Sequence, residues 1–328
     1  AKLDYDKKEE GTGKAMKLSE MQKYKELVSA HKRSEISNEE LQKTFITDGA
    51  ILSNLYQEME MDSDSVDCHD DVNYTKDSIQ LHSHTFYEML YCRSGNVQYL
   101  LGAERYRVRR GDIIFIPPGI SHRPLYLDQL AEPYSRYVIW IHPEFMKNIQ
   151  QFLGFIPLSD PVLLRTQDSG WEYMERYFQS ACREAKIRQE GYEACISSIT
   201  VQLLIHLTRA CTHSKATEPL TEKKELLDEL IRYIEDHLAE KITLKSAATD
   251  FYISERAISR LFSEKMDVSF YRYVTQRRLI AAKTRIINGD SLETIGEQVG
   301  FSDYSTFYRA FKQAFSISPQ QFKKLQKA

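Results

Sequence analysis

An apolar pattern in the last third of the chain occurs twice. Leu244, Ala248, Ile253, Ile258 and Phe262 recur as Leu292, Gly296, Phe301, Phe307 and Phe311, at offsets of 48 and then 49 residues. A repeat of that length with short connections means two copies of one helical unit, neither able to bury its apolar face alone. In the second copy "SLETIGEQVG" starts at a serine N-cap, turns through Phe301 and Ser302, and restarts at Asp303 as another N-cap. The helix that follows, "YSTFYRAFKQAF", carries Phe307, Phe311 and Phe315 at i, i+4 and i+8, a single buried stripe. Tyr304, Ser305, Tyr308, Arg309 and Lys312 fall on its other face. In the first copy Ser254 caps "ERAISRLFSEK", with Ile258, Leu261 and Phe262 inward and Arg256, Ser259, Arg260 and Lys265 outward. Each copy thus has the shape of a helix-turn-helix.

Charge is distributed to suit that shape. The formal net charge is −3, yet 13 Lys and Arg stand against 7 Asp and Glu from Ser254 onward, so the acidic excess lies upstream. A basic end on an acidic chain is a footprint of nucleic-acid contact, although a plain solvated face produces the same excess. A major groove admits one helix, and Arg is the commonest reader of guanine edges there. Arg and Lys further along such helices more often hold phosphate, which positions without specifying. Two heads joined by segment 269–288 suit successive major grooves, about 34–36 Å apart.

The stretch "RRLIAAKTRIINGDSLETIGEQVGFSDYSTFYRAFKQAFSISPQQF", 277–322, resembles the DNA-binding signature of AraC/XylS-type transcription regulators. The likeness rests on the Arg-Leu-x3-Lys start, the VGFSD turn, the F-x-R-x-F-K core and the closing SP-x-x-F, and it spans about residues 226–327. It implies that the outward residues of both second helices contact DNA: Arg256, Ser259 and Arg260 in the first copy, and Tyr304, Ser305, Tyr308, Arg309 and Lys312 in the second. The first copy departs in one respect, with Met266-Asp267 where the family usually places a glycine.

Between residues 76 and 145 the texture is different. YEMLYC, NVQYLL, RYRVR, DIIFIP and RYVIWI are rich in β-branched and aromatic residues, and "SGN", "GAE", "RRGD" and "PPG" separate them. Short strands at that spacing argue for a small antiparallel barrel or sandwich. The segment "HSHTFYEMLYCRSG", 82–95, resembles the first motif of the cupin fold through His82, His84, Glu88 and Gly95. Gly111, Pro117, Gly119 and His122 resemble the second. Tyr126 stands where the pattern ends in Asn, and the expected Gly before His82 is missing.

Two readings of these residues stay open. His82, His84, Glu88 and His122 together form a set that suits Zn, Mn, Fe or Ni, with positions left for a ligand. The same residues also suit an organic effector bound with no metal required. Arg136 and Trp140 share one strand face, Arg offering donors to hydroxyls or carboxylates and Trp a flat surface for a sugar. A pocket of His82, His84, Glu88, His122, Arg136 and Trp140 is what a sugar or related metabolite needs. No nucleophile constellation, phosphate loop or second carboxylate pair accompanies them, so an enzyme is not expected. The alternative is a metal-dependent cupin sensor or cupin enzyme fused to a DNA reader.

The remaining segments frame these parts. Residues 1–61 read as helical and polar, with a capping box at "SNEEL", 37–41, and apolar Leu41, Phe45, Leu52, Leu55, Tyr56 and Met59 at helical spacing. "MDSDSVDCHDDVN", 61–73, reads as an acidic linker; Asp62 and Asp64 begin like a calcium loop, but Val66 and the lack of a following Gly break that pattern. Residues 169–189 and 192–213 read as two amphipathic helices hinged at Gly191, and in the resembled family dimers form through this region. Five scattered cysteines without a CxxC pair suit reduced thiols. No signal peptide or membrane span is expected, and the location is read as cytoplasmic.

The chain is therefore expected to be an α+β multidomain protein: 1–73, helical extension and acidic linker; 74–213, a cupin-like effector-binding and dimerisation domain with an antiparallel β-barrel and two following helices; 214–223, linker; 224–328, an all-α DNA-binding domain with two helix-turn-helix units. The expected function is a sequence-specific, effector-controlled transcription regulator, an activator on the family's precedent. Its expected partners are double-stranded DNA, a small-molecule effector, RNA polymerase and a second copy of itself.

Overall fold

The computed structural model describes residues 16–19, 22, 59–73, 81–125, 132–154, 158–213, 225–315 and 317–325. The capping box at 37–41, Tyr126 and the linker at 214–223 lie outside the described residues. Two compact units emerge, one of residues 61–280 and one of 1–60 with 281–328. The division differs from the expected boundary at 214–223: the first helix-turn-helix belongs with the sheets, and the second does not.

The larger unit opens with β3 (Val66–Asn73), β4 (Tyr87–Ser94), β5 (Asn96–Leu101), β6 (Glu104–Arg109), β7 (Asp112–Ile116), β8 (His122–Leu125), β9 (Tyr134–Ile141) and β10 (Val162–Arg165). They form two antiparallel sheets, β10-β7-β4-β9-β3 and β6-β5-β8. The expected barrel is thus realised, among the described residues, as two separate sheets and not as one closed ring.

The supposed linker is also a strand. β3 pairs along its whole length with β9, Val66 opposite Ile141 through Asn73 opposite Tyr134. Its acidic run conceals the alternation that marks a strand, because Asp71 is buried by pairing with Arg136 instead of pointing to water.

Successive residues of a strand point to opposite faces. On the large sheet Met89, Tyr91, Ile113, Phe115, Ile139 and Ile141 pack with α2 (Met174–Ile187) and α3 (Tyr192–His213) through Phe178, Ile196, Leu203, Leu204 and Leu207. Each such side chain, fully buried, contributes roughly 1.5–3 kcal/mol. The neighbouring Glu88, Leu90, Trp140 and Val138 turn to the other face, in register with one another. Gly191, at φ +80, makes the hinge between α2 and α3. By length and composition α3 is apolar enough to cross a membrane, with a mean hydropathy of 1.3 over Tyr192–Thr212, as core helices of non-membrane proteins also are. Its apolar stripe is instead spent on the sheet. A preceding helix, α1 (Pro143–Leu153), starts at Pro143 with His142 as N-cap.

The same unit continues with α4 (Leu226–Asp236), α5 (Leu244–Asp250), α6 (Glu255–Met266) and the start of α7 (Phe270–Ile287). Leu227, Leu230, Ile231, Ile234, Ile258, Phe262 and Phe270 form one core with Leu81, Leu100 and Leu125 of the sheet region. In the second unit the end of α7 is followed by α8 (Leu292–Gln298), α9 (Tyr304–Phe315) and α10 (Pro319–Leu325), and β1 (Met16–Lys17) pairs in parallel with β2 (Met59–Glu60). Phe307, Phe311 and Phe315 stack in succession, with Phe322 against Phe311. Gly296 permits this: a Cβ there would sit 3.0 Å from Cβ of Phe307.

The two copies turn in the same way. Ile253 N–H donates to Ala248 O and Tyr252 N–H to Thr249 O, as Phe301 N–H donates to Gly296 O and Gly300 N–H to Glu297 O. This double bond closes a helix over one left-handed residue. That residue is Gly300 in the second copy, at φ +94, and Tyr252 in the first, at φ +56. For a non-glycine residue that conformation costs about 1–2 kcal/mol. Asp267, standing where the resembled family has glycine, is likewise left-handed at φ +52 and ends α6.

Candidate functional site

On the inner face of the sheets, the segment leading into β4, β4 itself and β8 bring three side chains together. Ligand atoms of His84, Glu88 and His122 all lie within 4.8 Å of one another, and all three residues are buried. Glu88 Oε2 is 3.4 Å from His84 Nε2 and 3.2 Å from His122 Nε2. Its other oxygen accepts from Trp140 Nε1–H at 2.8 Å.

Backbone partners fix both imidazoles. His84 Nδ1 lies 2.7 Å from the carbonyl of Phe86, and His122 Nδ1 lies 2.9 Å from that of Ile120. A carbonyl only accepts, so both Nδ1 atoms carry protons. In neutral rings the two Nε2 lone pairs therefore converge on a carboxylate. Burial pushes the His84 pKa down, against the opposing pull of Glu88, and so favours its neutral form. His122 Nε2 is buried and, despite its closeness to Glu88, makes no aligned hydrogen bond. Three acceptors thus face one point.

The donor set fits a divalent cation. Ligands about 2.1 Å from a tetrahedral ion are about 3.4 Å apart, close to the 3.4 and 3.2 Å of the two nitrogen–oxygen pairs, and the whole set, within 4.8 Å, would draw together around an ion. Trp140 would orient the carboxylate from behind, as outer partners of metal ligands do.

The other expected pocket residues are placed differently. His82 is buried and pairs its backbone with His122, its ring 4.3 Å from that of His122, but it stands outside the ligand triad. Trp140 is covered by Phe86 and by the edge of His69, so no flat surface is offered to a sugar. Arg136 is not a free hook: its Nη2 donates to Asp71 at 2.5 Å and its Nη1 to Asn73 at 2.7 Å. Alternation along a strand gives the face but not the partner, and here the partner lay in the supposed linker.

Each reading helix presents a polar face. Arg256, Arg260, Tyr304, Ser305, Arg309 and Lys312 are exposed, and Ser259 and Tyr308 half-buried. Arg260 is tied to Glu264 at 2.7 Å, whereas Arg309, among the described residues, donates to the Ser305 carbonyl of its own helix. Arg309→Ala is expected to cost about 1–3 kcal/mol of specific DNA binding and to relax base preference. Equal wild-type and mutant affinities in a gel-shift titration against a selected site would remove Arg309 from the base-reading set.

The sequence reading missed two arginines on the outer face of β6-β5-β8. Leu100 stands in register with Arg105 on one side and Arg123 on the other, so the three share that face. Arg105 donates to both carboxylate oxygens of Asp228, at 2.8 and 2.9 Å, and to Gln98, and pairs with Glu225. Asp228 and Glu225 form the capping box of α4. Arg123 Nη1 donates to Met266 O at the end of α6. One buried cation thus meets the carboxylates of an acidic helix start, and another a helix C-terminus, where the helix dipole favours a positive charge. Arginines on short strands carry no local signature, and their helical partners lie more than 100 residues away.

Comparison with known proteins places both halves. Residues 68–196 match the family profile of the AraC-like ligand binding domain, and residues 247–325 that of a helix-turn-helix domain. The HTH-type transcriptional activator RhaS of Salmonella arizonae is 25% identical over 252 residues, covering 74% of this chain and 86% of its own. RhaS of Salmonella newport matches equally, at 25% over 252 residues. Among solved structures, a protein of unknown function from Listeria innocua is 29% identical over 30% of this chain and 96% of its own, with a TM-score of 0.30. ToxT from Vibrio cholerae is 13% identical, covering 80% of this chain and 98% of its own, with a TM-score of 0.33.

Proposed function

Because the chain is an AraC-type transcription regulator, with a ligand-binding domain ahead of a helix-turn-helix DNA-binding domain, we propose that it senses its effector through a divalent cation held by His84, Glu88 and His122. The observation that carries this is the convergence of two imidazole lone pairs on one buried carboxylate, an arrangement that a cation relieves. Three protein ligands leave positions open on Zn or a similar ion. An oxygen-rich small metabolite, a sugar or hydroxy acid, would fill them. The site is read as a sensor because it lies in a segment matching a ligand-binding domain joined to a DNA reader.

The route from site to DNA runs along β8. His122 faces the cluster and its neighbour Arg123 faces α6, so a shift of this strand is felt on both sides. An effector can move that balance only by its differential affinity for the two arrangements. Activation is supported by the relatives named as transcriptional activators. Pairing of two copies through the α2–α3 region is part of the reading on the precedent of the family resemblance. Contact with RNA polymerase and a cytoplasmic location complete the reading.

Elemental analysis of untagged protein, wild type beside His84→Ala, tests the cation. The expected result is close to one metal per folded chain, lost in the variant. Metal-free wild type, still metal-free after incubation with zinc, manganese, iron and nickel salts, would refute it and leave the histidines as hydrogen-bonding residues of the effector site.

A further inference from the structure

Two copies of one turn are built with different residues. The left-handed position that closes the helix before each reading helix is Gly300 in the second copy, the residue type that such a position favours. In the first copy it is Tyr252, an aromatic residue where a side chain is strained. Strain of this kind persists where something else requires the residue.

Packing does not require it. Tyr252 is 94% exposed, the most exposed of the large apolar and aromatic side chains among the described residues. The turn's hydrogen bonds are made by backbone alone, Tyr252 N–H to Thr249 O and Ile253 N–H to Ala248 O. Glycine makes the same pair in the second copy. Neither the turn nor the core explains a phenol here.

Position supplies the reason. Tyr252 stands two residues before Ser254, the N-cap of α6, whose exposed Arg256 and Arg260 lie in its first turns. The start of a reading helix is the part that enters the groove, and the residues just ahead of it run beside the sugar-phosphate backbone. A tyrosine hydroxyl is a common donor to phosphate oxygen.

We propose that Tyr252 is a DNA-contact residue of the first helix-turn-helix, its hydroxyl donating to a backbone phosphate. It anchors the first head beside the start of its reading helix. The assignment rests on the DNA-binding role of the domain and adds a contact that the second head, with Gly300, lacks.

The test needs no knowledge of the target site, because a phosphate contact is independent of sequence. Full-length wild type, Tyr252→Phe and Tyr252→Gly are titrated by fluorescence anisotropy against a random-sequence 30-base-pair duplex at fixed salt, with thermal midpoints measured in parallel. Both variants are expected to bind about tenfold more weakly. Tyr252→Gly is expected to melt at or above the wild-type temperature, since glycine relieves the turn. Wild-type affinity in Tyr252→Phe would overturn the assignment. So would a Tyr252→Gly chain that melts several degrees lower, which would make the tyrosine structural.

Discussion

Arg105→Ala is expected to lower the stability of the unit formed by residues 61–280 by about 3–5 kcal/mol, near the lower end because Asp228 keeps some contact with water. The arginine is one of the most buried charges of the sheets, at 6% exposure, and satisfies Asp228, Glu225 and Gln98 at once. Its removal leaves Asp228 with its charge and without its fork of donors. The loss reaches beyond one contact, because Asp228 also closes the capping box of α4 by accepting from Glu225 N–H. Urea denaturation followed by tryptophan fluorescence and by far-ultraviolet circular dichroism measures both the loss and its form. Wild type should lose both signals together over this unit, whereas Arg105→Ala should lose helix before sheet. A double-mutant cycle with Asp228→Ala should give a coupling of about 1–3 kcal/mol. A coupling near zero would mean that the sheet does not hold α4 through this pair.

The second large effect is expected at Arg136. Its guanidinium lies between β3 and β9, bound to Asp71 and Asn73 and set against the ring of Tyr134. Asp71 and Arg136 side chains are 8% and 10% exposed, so alanine at 136 strands a buried carboxylate. The cost is expected at about 3–5 kcal/mol, with β3 the first element to loosen. Asp71→Asn in the Arg136→Ala background should recover part of it by removing the stranded charge. If Arg136→Ala folded with wild-type stability and lost only its response to effector, Arg136 would be the ligand hook that its strand face suggested. The structure gives it a different task.

That contrast shows where sequence was informative. The helix-turn-helix pair was legible because its signals are local: phenylalanines four apart, an N-cap before each reading helix, a repeat that checks itself. The triad of His84, Glu88 and His122 was legible from the resemblance to the two cupin motifs, which supplied His84 and Glu88 in one segment and His122 in the other. His82 joined it on paper because motif matching counts residues and cannot see which way an irregular segment turns. Arg136 and Trp140 were placed on the correct face and given the wrong partners, because their partners come from β3 and β4 across the sheet. Arg105 and Arg123 left no trace, as a long-range ion pair has no spacing to read. Tyr252 did leave one: aligning the two copies sets it opposite Gly300, and a tyrosine opposite a turn glycine is visible without coordinates.

The acidic run of β3 has a further effect on how the protein behaves in bulk. β3 is the last strand in the order of the large sheet, and among the described residues no strand pairs with its outer side. Such a margin exposes unmet N–H and C=O groups and invites another chain to extend the sheet. Asp67 and Asp70 stand on that margin beside buried Val66 and Cys68. Two such strands brought edge to edge would set carboxylate against carboxylate. The composition that disguised this segment as a tether is thus suited to keeping concentrated protein from polymerising through its sensing sheet.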